Sequence, residues 1–213
     1  MTGKGAGERG SGGAEVGSGH PAAGIATIRE SPPTPAPPLL RSPVPRLSPN
    51  RFALALGGNL GDVPATAERA AILLAPLVRV VARSAWHRTA PVGPAQPDFW
   101  NAAWIVATDL GPHQLLDRLL AVETACGRAR GVRWGPRTLD LDLILAADGR
   151  TVATPVLTLP HPRWTERAFV LAPLAEIAAD WRDPAGVTVA ARAAALGLPG
   201  PAPGAACPRS RQA

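Results

Sequence analysis

Lysine is all but missing from this chain of 213 residues: of its 22 basic side chains only Lys4 is a lysine, and it stands in a glycine-rich N-terminal stretch. That absence removes a phosphate-loop lysine, a Schiff-base lysine and a serine–lysine dyad from any folded part of the molecule. Phosphate charge would have to be met by arginine, by a metal ion or by backbone N–H groups. Cysteine is as scarce. Cys126 and Cys207 stand alone, far apart and in no Cys-x-x-Cys or His/Cys spacing, which argues against a disulfide framework or a zinc site and for a reducing compartment. Long apolar runs are missing too. None approaches the ~18 residues of a membrane span, and the polar opening MTGKGAGERGSGGAEVG has no apolar segment of a secretory signal. The expectation is a cytoplasmic protein with no membrane partner.

What is abundant is glycine (22) and proline (25), and neither is spread evenly. Residues 1–49 hold nine of each, with PPTPAPPLLRSPVPRLSP as a proline-rich run. Such a segment buries too little apolar surface to offset its ordering entropy. A disordered tail is expected, with a PxxP-type ligand as the functional alternative. Residues 197–213 read as a second tail, which leaves 50–196 as one domain of ordinary size. The formal charge of +6 invites a nucleic-acid reading. Yet residues 1–49 carry five basic and three acidic side chains and 197–213 two more basic ones, so most of that charge belongs to the tails.

Between the tails the pattern alternates. Phe52–Leu56 reads as a strand running into Gly57 and Gly58, and Asp62 as the N-cap of a helix over Val63–Leu74, with Pro64 at an early position where it is tolerated. Leu77–Arg88 is β-rich, residues 89–97 form a proline-marked loop, and Phe99–Thr108 is a strand. Apolar residues at 115, 116, 119, 120 and 122 give Pro112–Ala125 a helical period. Arg128–Arg137 reads as a loop, Leu139–Ala146 as a strand and Thr165–Ala178 as a helix. The order βαββαβ, then more helix, predicts an α+β fold: a ferredoxin-like αβα sandwich on an antiparallel sheet.

Chemistry concentrates in Gly127–Leu145. Asp140 and Asp142 stand two apart in an apolar strand, so both carboxylates share one face while Leu139, Leu141 and Leu143 pack on the other. Adjacent carboxylates resist ionising together, and a hard divalent cation removes that conflict. Two unrelated aspartates on a solvated face are the plain alternative. The context weighs against it: Arg128, Arg130, Arg133 and Arg137 crowd into the ten residues before the pair, among Gly127, Gly131 and Gly135. Guanidiniums that clamp phosphate, beside a two-carboxylate metal site, suit phosphoryl or nucleotidyl transfer, which is mostly positioning and charge neutralisation. Phe99, with Asn101 beside it, and Phe169 offer a sandwich and a polar edge for a flat heterocycle, with core packing as the alternative. His161 lies between two prolines, hence in a loop, where it suits a phosphate or no ligand equally.

RWGPRTLDLDLIL, with GRAR before it, LPHPRWTERAFVLAPLAEIAAD after it, and ALGGNLGD and QPDFWNAA nearer the N-terminus, resembles the 6-hydroxymethyl-7,8-dihydropterin pyrophosphokinases of folate biosynthesis over about Phe52 to Asp183. The resemblance implies transfer of the pyrophosphoryl group of ATP to the pterin hydroxymethyl oxygen, with release of AMP. It implies two Mg²⁺ ions held by Asp140 and Asp142, and catalytic parts for these two with Arg128 and Arg137. It carries ATP contacts onto Glu123, Arg130, Arg133, Trp134, Arg137, Thr158, His161 and Arg167. Pterin contacts fall on Thr89, Val92, Phe99, Asn101 and Phe169. ATP and the pterin are the implied partners, with no nucleic acid, and the protein is expected to be a monomer. The chain departs from the family at Gly58, where Ser is frequent and only a turn should change, at Ala90, where Pro is frequent, and at Trp100 and Pro162. Two rivals remain at this level: an Mg²⁺-dependent nucleotidyltransferase and an RNA-binding ferredoxin-like module, whose central strands would carry exposed aromatics.

Overall fold

Phe-Ala-Leu-Ala-Leu, residues 52–56, decides the layering of the molecule. A strand turns alternate residues to opposite faces, so the large Phe52, Leu54 and Leu56 share one core with Leu139, Leu141 and Leu143, while the small Ala53 and Ala55 join Ala103 in another. The computed structural model describes residues 49–91, 95–128 and 135–199. Val92, Arg130, Arg133 and Trp134, and the expected tails apart from their innermost residues, lie outside the described residues.

The chain runs β1 (Asn50–Gly58), α1 (Val63–Leu74), β2 (Val78–Arg83), β3 (His87–Thr89), β4 (Phe99–Thr108), α2 (Pro112–Ala125), β5 (Asp140–Ala146), β6 (Val152–Ala153), β7 (Thr158–Leu159), α3 (Ala168–Ala178) and α4 (Val189–Ala195). The main sheet has the order β2-β4-β1-β5, with β3 also on β4, and every pair in it is antiparallel. This is the ferredoxin-like α+β sandwich: α1 and α2 lie against the large side chains of β1, and α3 and α4 against the alanine face.

Helix starts follow the expected chemistry. The Asp62 carboxylate accepts the Ala65 N–H at 2.9 Å and caps α1. The β-rich stretch after α1 is broken in two, because Ser84 interrupts it: its N–H donates to the Ala103 carbonyl and its Oγ accepts the Ala103 N–H. The last long helix begins at Ala168 rather than Thr165. Trp164–Glu166 forms a single 3-10 turn, and Arg167 turns extended before α3. Pro173 inside α3 has no N–H for the Phe169 carbonyl. The β6–β7 hairpin and α4 were not anticipated. Two-residue strands are too short to show a period, and VAARAAA buries only Val189 and Ala193, so its apolar stripe is faint.

Asp183 locks α4 to the domain. Its Oδ1 accepts the N–H groups of Ala185 and Val187, and its Oδ2 the Arg192 Nε and Nη2 at 2.9 and 2.6 Å. Burial opposes its charge, but Arg192 and the backbone donors outweigh that and hold the carboxyl below its usual range. A depressed carboxyl stabilises the fold above the unfolded pKa, and that contribution is lost as pH falls through the folded one. Asp183→Ala should cost about 2 kcal/mol in urea unfolding at neutral pH. The gap to the parent should close in strong acid.

Candidate active site

The cavity lies on the alanine face, at the end of the sheet where α3 begins. Its volume is about 580 Å³, and it is lined from β1 by Ala55 and Gly57, from β3 and β4 by Thr89, Phe99 and Asn101, from β5 by Asp140 and Asp142, and by Arg128, Arg137, His161, Arg167 and Phe169. Register explains the assembly. Asp142 lies opposite Ala55 and Asp140 opposite Gly57, and Gly57 lies opposite Asn101, which lies opposite His87. Directly paired residues share a face. The alternation read from LDLDL thus puts both carboxylates on the cavity side, with Leu139, Leu141 and Leu143 buried behind them.

The end of α2 aims Arg128 at this pair. Gly127 has a left-handed backbone, φ 86°, its N–H donates to the Thr124 carbonyl, and the Arg128 N–H donates to the Glu123 carbonyl. This is the Schellman ending that glycine favours. It folds Arg128 back over Glu123, so its guanidinium pairs with both the Glu123 and the Asp140 carboxylates, and Arg137 pairs with Asp140 from the other side.

Glu123 itself is only 2% exposed and accepts the Leu141 N–H. Burial pushes its carboxyl up to about 7, against the pull of Leu141 and Arg128. It therefore stands beneath the cavity, occupied by protein partners, rather than on its wall. Thr158 also stands off the wall, exposed and paired with Ala153 in the β6–β7 hairpin.

Desolvation raises the carboxyl of Asp142, and the charge of Asp140 raises it further. Arg167 is 3.9 Å from Asp142, and its guanidinium lies over the Phe169 ring at 5.6 Å. His161 is pinned to β5 by its N–H to the Ile144 carbonyl. Its Nδ1 accepts the Arg163 N–H at 3.2 Å, which leaves the proton of the neutral ring on Nε2. Burial lowers its pKa, Arg167 and Arg163 lower it further, and Asp142 pulls the other way. On the far side Asn101, 5% exposed, donates to Thr89 Oγ1 at 2.9 Å. Trp100, next to Phe99, points to the opposite face and packs against the core under α1 and α2.

Sequence reasoning missed Asn59. Its Oδ1 accepts the Arg137 N–H at 2.9 Å, and its Nδ2 donates to Gln96 Oε1 and the Pro97 carbonyl. One amide thus ties the Arg137 loop to the loop before Phe99. A small polar residue just after a strand was the only signal. Gly58 ends β1 rather than turning the chain, with the Thr138 carbonyl where a Cβ would point.

The residues fit a hard divalent cation. Two carboxylates share one face, and Asp140 Oδ1 is buried without a well-directed hydrogen bond, although Arg128 stands beside it. No cluster of three or more His, Cys, Asp or Glu suited to a metal occurs among the described residues. Such a cation would need ligands beyond the chain, as Mg²⁺ on a phosphate substrate does. No helix among the described residues is long and apolar enough to cross a membrane.

Residues 53–179 match the family model described as 7,8-dihydro-6-hydroxymethylpterin-pyrophosphokinase (HPPK). The 2-amino-4-hydroxy-6-hydroxymethyldihydropteridine pyrophosphokinase of Methylorubrum extorquens is 51% identical over 133 residues, covering 61% of this chain and 84% of that protein. The Synechocystis protein of the same name is 47% identical over 131 residues, covering 61% of this chain and 67% of that one. Among solved structures, Plasmodium falciparum HPPK-DHPS superposes with a TM-score of 0.51 at 12% identity, over 69% of this chain and 43% of that one, a likeness of fold.

Proposed function

The chain belongs to the 7,8-dihydro-6-hydroxymethylpterin-pyrophosphokinase family, and from that premise we propose how its residues divide the work. The reaction is ATP-dependent pyrophosphoryl transfer to 6-hydroxymethyl-7,8-dihydropterin in folate biosynthesis. The hydroxymethyl oxygen forms a bond to the β-phosphorus, the bond from that phosphorus to the α-side oxygen breaks, and AMP leaves. The observation that carries the division of labour is a single cavity that brings carboxylates and arginines together with two phenylalanines and an amide.

Asp140 and Asp142 hold Mg²⁺, two ions in our reading. When bound, the metal neutralises phosphate charge and lowers the pKa of the acceptor hydroxyl. Arg128 leaves its pair with Glu123 and Asp140 to meet the β- and γ-phosphates. Arg137, His161 Nε2–H and Arg167 hold the remaining phosphate oxygens, Arg130, Arg133 and Trp134 complete the nucleotide contacts, and Thr158, outside the cavity wall, meets the end of the nucleotide that projects beyond it. Glu123 acts through Arg128, as the group that parks it. Phe99 and Phe169 sandwich the pterin, with Asn101, Thr89 and Val92 on its edge. The acceptor proton passes to solvent. The working unit is residues 50–196, with 1–49 and 197–213 as tails, and it acts as a cytoplasmic monomer without nucleic acid.

AMP release by the full chain with ATP, Mg²⁺ and 6-hydroxymethyl-7,8-dihydropterin is the direct test. AMP and a diphosphorylated pterin are expected in equal amounts, with turnover lost on chelating Mg²⁺. Pyrophosphate release would instead mean nucleotidyl transfer, and turnover indifferent to chelation would remove the metal assignment.

A further inference from the structure

Two neighbouring glycines close β1, and their surroundings differ. A Cβ built on Gly58 would lie 2.6 Å from the Thr138 carbonyl oxygen and 3.1 Å from both methyls of Val63. In this chain a side chain at Gly58 would force the Thr138 backbone to shift. A Cβ on Gly57 would meet nothing nearer than Asn101 Oδ1 at 3.4 Å, an ordinary contact. Nor does Gly57 have a left-handed backbone, so an L side chain fits its conformation. Glycine inside a strand weakens it, and it persists where a ligand or another backbone comes close. At Gly57 the protein around it asks for no glycine, and the space its missing side chain leaves is the cavity.

Its place in the sheet says what uses that space. Gly57 is the gap in a row of polar side chains, with Asp140 beside it on β5 and Asn101 beside it on β4. With strands about 4.8 Å apart, Asp140 and Asn101 are about 10 Å apart across it. An acceptor whose ring edge meets Asn101 and whose hydroxyl must reach the phosphate at Asp140 has to cross Gly57. We propose that Gly57 is a specificity-determining residue, its bare backbone being the floor over which the acceptor's ring and one-carbon arm together span from the Asn101 amide to the Asp140 carboxylate. A methyl group there would lift the arm away from the in-line position, and a misplacement of about 1 Å costs up to a hundredfold.

This rests on the pyrophosphokinase reading, and the experiment separates the two. AMP release is measured for the full-length wild type, Gly57→Ala, Gly57→Val and Gly58→Ala, with pterin and ATP titrated separately. Binding of an ATP analogue carrying a methylene between the α- and β-phosphorus is measured alongside thermal unfolding. Gly57→Ala should lose at least about tenfold in kcat/KM for the pterin, and Gly57→Val more, with analogue affinity kept within about twofold and a melting temperature equal to or above the parent's. Gly58→Ala should melt earlier. A wild type that releases no AMP with pterin would remove the reaction and the role of Gly57 together. An active wild type with an equally active Gly57→Ala would remove only the latter. Analogue affinity falling in step with turnover would also overturn the proposal, as would a Gly57→Ala that fails to fold, since either result moves the glycine's role elsewhere.

Discussion

Asp142→Ala is expected to cut AMP release with saturating ATP and pterin by about a thousandfold or more, because electrostatic groups aimed at transferring phosphate supply the largest single share of such catalysis. The variant should unfold no earlier than its parent. Asp142 keeps 44% of its side chain open to solvent and carries no packing in the leucine core behind it. Burial raises its carboxyl, but with so much of the side chain in water that contribution is largely screened, and Asp140 beside it also disfavours its charge. For an acid this is at most a small cost to stability above the unfolded pKa, so truncation should leave stability at neutral pH nearly unchanged. Loss of turnover with an unchanged or higher melting temperature separates a functional carboxylate from a structural one. Turnover within about threefold of the parent would end the metal-site assignment.

Arg128→Ala should lower kcat by about a hundredfold or more while changing the affinity for nucleotide by less than about threefold. In the free protein this guanidinium is spent on Glu123 and Asp140. It must release them to meet phosphate, so its contribution is greatest where charge has developed. Removing it leaves Glu123 buried without its guanidinium, at a carboxyl already pushed up to about 7. Proton uptake there then limits the loss of stability, and the Leu141 N–H remains as a partner. If only KM for ATP rose, Arg128 would be a ground-state binding residue. Rapid-quench turnover set against equilibrium nucleotide binding makes the distinction.

Several features were legible in the chain because they depend on local periods. LDLDL alternates with period two, so the shared face of Asp140 and Asp142 followed from the strand alone. α1, α2 and β4 follow from caps and spacing that need no distant partner, and they appear at Val63–Leu74, Pro112–Ala125 and Phe99–Thr108. Other elements carry weaker local signals. The stretch after α1 has uniform β character, but Ser84 splits it by bonding to Ala103 of another strand, a partner no local pattern names. α4 is alanine-rich, with only Val189 and Ala193 buried in the core, so its apolar stripe is too narrow to read, and besides the Thr188 cap it is held by Asp183, a partner outside the helix.

The available chemistry is written in the residues: arginine without lysine for phosphate, a carboxylate pair on one strand face, aromatic and amide groups for a flat ring, and glycine at the end of α2. How these meet came from contacts between distant parts of the chain. Non-local strand pairing set Asp140, Gly57, Asn101 and His87 in one row. The ending of α2 turned Arg128 onto Asp140 and sank Glu123 beneath the wall, and Asn59 joined two loops separated in the chain. Periodicity decides which way a side chain points along its own element. The register between elements is chosen by packing the large side chains of β1 against α1 and α2, and that choice placed bare backbone between the two halves of the cavity.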